Sequence, residues 1–330
     1  FYSLASPGRD INFDIGRIKG YRNFCNKIWN AFRFIEMQVT NHSYQPSENS
    51  EDILSDWMGS KIHQTAENCQ THIKQYRFDL ASAEIYELVW SNFCDWYIEF
   101  NKVAIQNSED ANQTNNLIGN LITNFYSILE LLHPFMPFIT EELSSKLANL
   151  AKVEKLGFMV ESGFAHSRAS NKKTEQQLDE IISIISALRA IRAENQNIKN
   201  EILNLIISND LNSEMQSVIS ENEAMITGIA KLDGIEFSDK IPAEAIEKTM
   251  DGYKLIIPLE GLIDPEEEMM RLQKELADVE NDLKIINSKL ANEQFTSKAP
   301  PAVVEKEKAK VLDAESKKAL LEKSIAKLQP

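Results

Sequence analysis

A mostly α-helical fold is predicted: an antiparallel helical bundle, then a small α/β module, then a carboxy-terminal antiparallel coiled-coil hairpin. Three observations carry it. Apolar residues recur at three- and four-residue steps from residue 17 to 150, short β-rich runs interrupt helix patterns between 160 and 263, and a heptad seam runs on beyond Pro265. These changes of pattern set boundaries at 1–158 (bundle), 159–263 (α/β module) and 264–330 (coiled coil).

The first helix is read over 17–39, where Ile18, Tyr21, Phe24, Ile28, Phe32 and Ile35 share one face and Asp14 is placed to cap the start. A polar stretch, Asn41 to Asp52, separates it from a second helix that carries Ile53, Leu54, Trp57 and Ile62 toward Tyr76. A third helix is read over 79–104 and a fourth over 114–133, before Pro134 and Pro137 break the run and Ile139 to Leu150 resumes it. Helices joined by short polar links bury their stripes against one another as an antiparallel bundle.

In the α/β module a helix over 175–194 precedes the run Ile202-Leu203-Asn204-Leu205-Ile206-Ile207, and a further helix spans about 211–230. Ile235-Glu236-Phe237 is a short strand. Ile246–Met250 and Tyr253–Pro258 form a hairpin around Asp251-Gly252, a strong turn dipeptide.

Beyond Pro265, Met269, Leu272, Leu276, Val279, Leu283, Ile286 and Leu290 keep a regular seam. Val304, Val311, Ala314, Leu321, Ile325 and Leu328 repeat it less regularly after a turn at Pro300-Pro301. Fourteen acidic and twelve basic residues from Asp264 onward leave this part nearly neutral. The two arms would project about 35 to 40 Å at 1.5 Å per residue.

Composition narrows the function. With 330 residues, 43% hydrophobic and 26% charged, the chain has the make-up of a globular, cytosolic protein. It has no apolar run long enough for a membrane span, and its first residues lack the order of a signal peptide. Phe1 in place of Met, followed by what reads as a helix end, suggests an excised piece of a longer protein. The net charge of −15 argues against a surface coated in basic residues. Residues 1–40 nevertheless hold Arg9, Arg17, Lys19, Arg22, Lys27 and Arg33 against Asp10, Asp14 and Glu36, so the amino-terminal helix is where a phosphate backbone would be met. An arginine beside an aromatic, here Arg33-Phe34 shortly after Trp29-Asn30, is the pair that clamps an unstacked base, although a solvated arginine next to a core phenylalanine is the commoner case.

Catalytic chemistry is harder to find. Cys25, Cys69 and Cys94 are odd in number and far apart in apolar settings, and the five histidines lack metal-ligand spacing, so reduced thiols and no metal site are expected. No glycine-rich phosphate loop and no G-x-S-x-G elbow is present. The pairs Glu141-Glu142 and Glu266-Glu267-Glu268 read as helix-start anions, and Trp90, Phe93, Trp96, Tyr97 and Phe100 read as core.

Leu4-Ala5-Ser6-Pro7-Gly8-Arg9-Asp10-Ile11-Asn12-Phe13-Asp14 and Gly20-Tyr21-Arg22-Asn23-Phe24-Cys25-Asn26-Lys27-Ile28-Trp29-Asn30-Ala31 resemble the junction that follows the catalytic domain of valyl-tRNA synthetases. Trp90 to Glu99 and Leu131 to Leu143 look like that family's anticodon-binding bundle, which the isoleucine and leucine enzymes partly share. Gly261-Leu262-Ile263-Asp264, Asn292-Glu293-Gln294-Phe295 and Lys298-Ala299-Pro300 resemble the valyl-type coiled coil, so the likeness covers essentially the whole chain. One departure stands out. The family's Arg-Ala-Glu-Met-Asn with prolines after it is here Arg192-Ala193-Glu194-Asn195-Gln196 without prolines, which predicts a differently shaped loop.

The resemblance implies a class I synthetase anticodon-binding domain and a partner, the valine-specific tRNA, gripped by a monomer. It implies anticodon contacts from Arg17, Arg33 and Phe34, with Arg9, Lys27 and Asn30 beside them, and contacts to the tRNA outer corner from Lys289, Phe295 and Lys298. The parent enzyme would use ATP with Mg. Neither ATP-site signature of the family, of the HIGH and KMSKS type, occurs in this chain, so no cofactor is expected here and the region alone is expected to be inactive. The alternatives are a helical coiled-coil scaffold for protein interactions, or the same region of an isoleucyl- or leucyl-tRNA synthetase.

Overall fold

The computed structural model describes residues 8, 15–46, 52–153, 157–161, 170–195, 198–260, 265–291 and, near the end, 310, 311, 314–316, 318, 319 and 322. The chain divides into two compact units: Phe1–Ile191 with Ile202–Lys240 and Glu247–Ile256, and Arg192–Glu201 with Ile241–Ile246 and Ile257–Pro330.

The first unit opens with α1 (Ile15–Asn41), α2 (Ile53–Lys74) and α3 (Phe78–Glu87). A π-helical segment, Leu88–Tyr97, then carries α3 straight into α4 (Ile98–Asn107). Next come α5 (Ala111–Leu132) and α6 (Pro137–Ala151), the latter with Pro137 in its first turn, where a missing N–H costs nothing. Side-chain contacts fix the directions. Asn68 meets Glu84 and Cys69 meets Ala81, so α2 and α3 run antiparallel. Phe93 and Tyr97 meet Phe125 and Asn124, so α5 returns against the π segment. Trp57, Tyr97, Phe32, Phe93, Phe100 and Phe125 are the largest fully buried side chains, and burial of each contributes about 1.5–3 kcal/mol.

A buried polar ladder threads this core. Asn124 donates to Tyr97 Oη at 2.9 Å and lies 3.3 Å from Ser55 Oγ, while Asn120 donates to Asp52 at 2.7 Å. The helix α7 (Lys172–Glu194) is tied to α2 through Asp179, which accepts from Trp57 Nε1 at 3.0 Å and pairs with Lys61 at 2.7 Å.

The module that follows has β1 (Leu203–Ile207), α8 (Ser213–Glu221), α9 (Glu223–Ala230), β2 (Leu232–Phe237), β3 (Ala245–Thr249) and β4 (Lys254–Pro258). Its sheet order is β2-β1-β4-β3, with β1 parallel to β2 and antiparallel to β4. The parallel pair needs a crossover, which α8 and α9 supply. The hairpin at Asp251-Gly252 is present, with Gly252 at φ 86° and Met250 N donating to Tyr253 O. The module packs on the bundle where α9 meets α4. There Gly228 lies so close to Val103 that an added Cβ would come within 2.7 Å of its Cγ1.

In the second unit the Arg192 guanidinium donates to the carbonyls of Ile198 at 2.9 Å and Glu201 at 2.7 Å. The buried Arg192 side chain thus ties the end of α7 to the backbone at Ile198 and Glu201. The helix α10 (Pro265–Ala291) buries Val279 among Leu276, Leu283 and Ala314, and Lys318 pairs with Glu280 at 2.6 Å.

Three sequence expectations change. The single helix over 211–230 is two, α8 and α9, parted at Asn222, whose amide donates back to Val218 O. The helix over 79–104 contains the π segment, in which Ile98 N–H reaches Phe93 O, five residues back. Glu141 and Glu142 stand beyond the first turn of α6, and Glu141 accepts from Met159 N at 3.0 Å while Glu142 pairs with Lys146. Asp14 lies outside the described residues.

Candidate nucleic-acid interface

The first helix sorts its residues cleanly. Phe24, Ile28, Phe32, Ile35 and Val39 are buried and step by three and four along one face. On the other face Lys19, Arg22, Asn26, Asn30 and Arg33 are exposed, again at steps of three and four. The exposed stripe therefore offers three cations and two amides in a row about 20 Å long, at 1.5 Å per residue. Cations supply sequence-independent attraction to phosphates, and amides can both donate and accept toward a base edge.

The residues singled out by sequence fall into different settings. Arg33 is open to solvent and pairs with Glu36 at 3.2 Å in the next turn. Asn30 is exposed one turn before it. Lys27 is drawn off the stripe: its ammonium sits 2.6 Å from Asp95 and 3.8 Å from the centre of the Trp90 ring. Phe34 is half-buried, neither sealed in the interior nor free. The cation over its ring is Lys102, at 5.5 Å, which is also bonded to Glu99 at 2.6 Å. Successive helical residues point about 100° apart, so Arg33 and Phe34 face different sectors of the surface. Arg17 belongs to α1, but its side chain lies outside the described residues, as do Arg9, Phe295 and Lys298. Lys289 is exposed in the last turn of α10.

Sequence reasoning passed over Lys102 and Asn26, and it named Arg22 and Trp29 without giving either a contact. Arg22, Asn26 and Trp29 carried a usable signal, the helical step to Asn30 and Arg33. Lys102 carried none, because it reaches Phe34 only through the fold. Trp29 is 37% exposed on the same stretch of α1. The neighbouring aromatics are stacked: Phe24 on Tyr86 at 4.9 Å and Tyr86 on Trp90 at 5.5 Å, with Lys27 capping the ladder. Trp96 takes Arg189 at 4.8 Å. Two of these rings, Trp90 and Trp96, thus carry a cation over one face.

Comparison with known proteins decides the family. Residues 55–207 match the model of the anticodon-binding domain of tRNA ligase, and residues 264–329 match that of the valyl tRNA synthetase tRNA binding arm. A valine–tRNA ligase of Francisella tularensis is 36% identical over 314 residues, 94% of this chain and 34% of the relative. One from Legionella pneumophila is 34% identical over 322 residues, 96% of this chain and 35% of the relative. The chain belongs to the valyl-tRNA synthetase family, as its carboxy-terminal region. It spans about a third of the length of the curated relatives it matches.

On the structure, the anticodon-binding match of the synthetase family runs from α2 to the end of β1. The stripe on α1 thus lies just before it, within the span aligned to the valine–tRNA ligases, and the arm match takes in α10. Among the described residues no three His, Cys, Asp or Glu side chains converge as a metal site, and the chain carries no glycine-rich phosphate loop.

Proposed function

We propose that this chain is the tRNA-gripping part of a valine–tRNA ligase, whose parent protein joins valine to its tRNA with ATP and Mg. The observation that carries it is the exposed stripe Arg22, Asn26, Asn30 and Arg33 on α1, a cationic row in a chain of net charge −15, adjoining a bundle of the anticodon-binding family. In this reading the bundle receives the anticodon stem-loop of the valine tRNA. Arg9, Arg17 and Arg33 meet phosphates or bases, Asn30 reads an edge, and Phe34 offers a ring to an unstacked base with Lys102 beside it. Phosphate contacts give affinity while base contacts give identity.

Residues 264–330 form, in the same proposal, an antiparallel coiled-coil hairpin that supports the outer corner of the tRNA through Lys289, Phe295 and Lys298. The packing of Ala314 against Leu276, Val279 and Leu283 supports two arms side by side. The domains follow the boundaries 1–158, 159–263 and 264–330. The protein works as a cytoplasmic monomer, and no helix among the described residues is long and apolar enough to cross a membrane.

A filter-binding titration with the valine, isoleucine and leucine tRNAs tests this. The valine tRNA should bind most tightly, and its log affinity should fall linearly with log salt as counterions are released. Tighter binding of the isoleucine or leucine tRNA would return the chain to the sister-enzyme reading, and no binding, or binding indifferent to salt, to the protein-scaffold reading.

A further inference from the structure

The four tryptophans of the chain differ in how fully their rings are engaged. Trp57 is fully buried and its Nε1 donates to Asp179 at 3.0 Å. Trp90 stacks on Tyr86 at 5.5 Å beneath the Lys27 ammonium, and Trp96 stacks on Phe100 at 5.7 Å beneath the Arg189 guanidinium. Trp29 is placed otherwise. It is 37% exposed, and its one ring neighbour among the described residues is Phe32 in the next turn of its own helix, tilted 55° at 6.3 Å. Its Nε1 has no acceptor among the described residues. A single exposed aromatic is ordinary on a protein surface, and it is the neighbours that set this one apart. At about 100° per residue, Arg22 and Arg33 lie within about 20° and 40° of Trp29 around α1, about 10 Å before it and about 6 Å beyond it. Both arginines are exposed, as is Asn26 in the turn before. A flat, unpartnered ring between two cations is the arrangement on which a base of a single strand stacks while the cations meet its phosphates.

We infer that Trp29 is a second stacking platform, which takes an unstacked base of the anticodon loop on the opposite flank of α1 from Phe34. This rests on the reading of the chain as the tRNA-gripping part of a valine–tRNA ligase. Trp29 and Phe34 are separated by about 140° around the helix and about 7.5 Å along it, so one base cannot lie on both rings. Phe34 is the ring that Lys102 of α4 approaches, at 5.5 Å, whereas no cation stands over Trp29 among the described residues. Asn26, Asn30 and Arg33 occupy the sector between the two rings and are exposed. Two bases held on the flanks would therefore straddle a strip of amides whose donors and acceptors reach base edges. Stacking tolerates any base, so Trp29 supplies affinity and the amides supply identity. The indole N–H at the ring edge adds a donor for a phosphate or a base.

Filter binding of the valine tRNA to the 330-residue chain is compared for the parent, Trp29→Leu and Trp29→Phe. Leucine keeps an apolar contact with Phe32 but offers no flat face, and phenylalanine keeps the face. Trp29→Leu should bind about tenfold more weakly with an unchanged salt slope, because a lost stack releases no counterions. Trp29→Phe should stay within about threefold of the parent, and the tryptophan fluorescence that the tRNA quenches in the parent should be quenched less in this variant. Trp29→Leu combined with Phe34→Ala should multiply the two single losses, as expected for rings that share no partner. An affinity of Trp29→Leu within about twofold of the parent's overturns the platform, as does a loss that phenylalanine fails to recover. A double variant no weaker than its worse single variant overturns it too, since one base would then serve both rings. Failure of the parent chain to bind the valine tRNA removes the tRNA-gripping reading itself, whereas parent binding indifferent to Trp29→Leu removes the second platform alone.

Discussion

Asn120 Nδ2 donates to Asp52 Oδ2 at 2.7 Å, joining the middle of α5 to the residue that starts α2. The other carboxylate oxygen of Asp52 accepts the Ser55 N–H at 2.8 Å and so caps α2. One side chain thereby fixes both where α2 begins and how it lies against α5. Asp52→Ala removes a cap worth about 1 kcal/mol and takes the partner from a buried amide, at about 1–3 kcal/mol more. A loss of about 2–4 kcal/mol in urea unfolding is expected from those two terms. Asp52→Asn, which keeps an acceptor for the cap, should lose less.

Arg33 and Phe34 are neighbours in sequence but sit in different settings, and the proposed reading gives them different roles. Arg33→Ala removes an exposed cation whose only ion pair among the described residues is a surface contact with Glu36, so stability should change by no more than about 0.5 kcal/mol. Its signature is in RNA binding, where losing one phosphate contact should lower the salt slope by about one. Phe34→Ala should cost about 1–3 kcal/mol of cognate binding through the lost stack. A salt slope unchanged by Arg33→Ala would take the phosphate role away from that residue.

Asp95 holds Lys27 against the Trp90 ring, away from the exposed stripe. Asp95→Asn keeps the shape, loosens the ammonium and removes a negative charge from beside the helix. Binding of the valine tRNA at low salt should tighten, by about 0.5–1 kcal/mol if the freed cation gains one phosphate. Weaker binding from this variant would show that the Lys27–Asp95 pair shapes the interface instead of restraining it.

Much of this was readable from residue order, for reasons that differ by element. The burial of Phe24, Ile28, Phe32 and Ile35 follows from a period of 3.6, which any amphipathic helix prints in its sequence. The hairpin at Asp251-Gly252 follows from the positive φ that glycine accepts without strain. The π segment was hidden because apolar spacing does not separate a partner four residues back from one five back, and here Ile98 reaches Phe93. Asn222 could sit inside a helix by pattern, and the break shows only in its backbone, at φ −111° and ψ 16°, with its side-chain amide bonded back to Val218 O. At the interface, the settings of Lys27 and Phe34 were illegible because their partners come from the π segment and α4. Asp95 is 68 residues from Lys27, a distance at which pairing is decided by how α1 packs and not by any local rule.

Arg77 and Asp79 supply a pH-dependent element at the α2–α3 turn. The guanidinium donates to both carboxylate oxygens, Nε at 2.9 Å and Nη2 at 2.8 Å, in the two-pronged geometry that makes such pairs strong. Those bonds hold the Asp79 carboxyl down from 3.8 to about 2. The folded state therefore binds a proton less readily than the unfolded chain. The pair's contribution is complete above the ordinary carboxylate value and is lost as pH falls from about 4 toward 2. Asp79→Asn should lower the urea midpoint at neutral pH, and the gap from the parent should close as pH drops through that window. The parent curve should fall more steeply there than the variant's, because the proton taken up on unfolding goes to the Asp79 carboxylate, which the amide variant lacks. Parallel curves down to pH 2 would mean that the fork leaves the Asp79 carboxyl where the unfolded chain has it, and that acid sensitivity arises at other carboxylates.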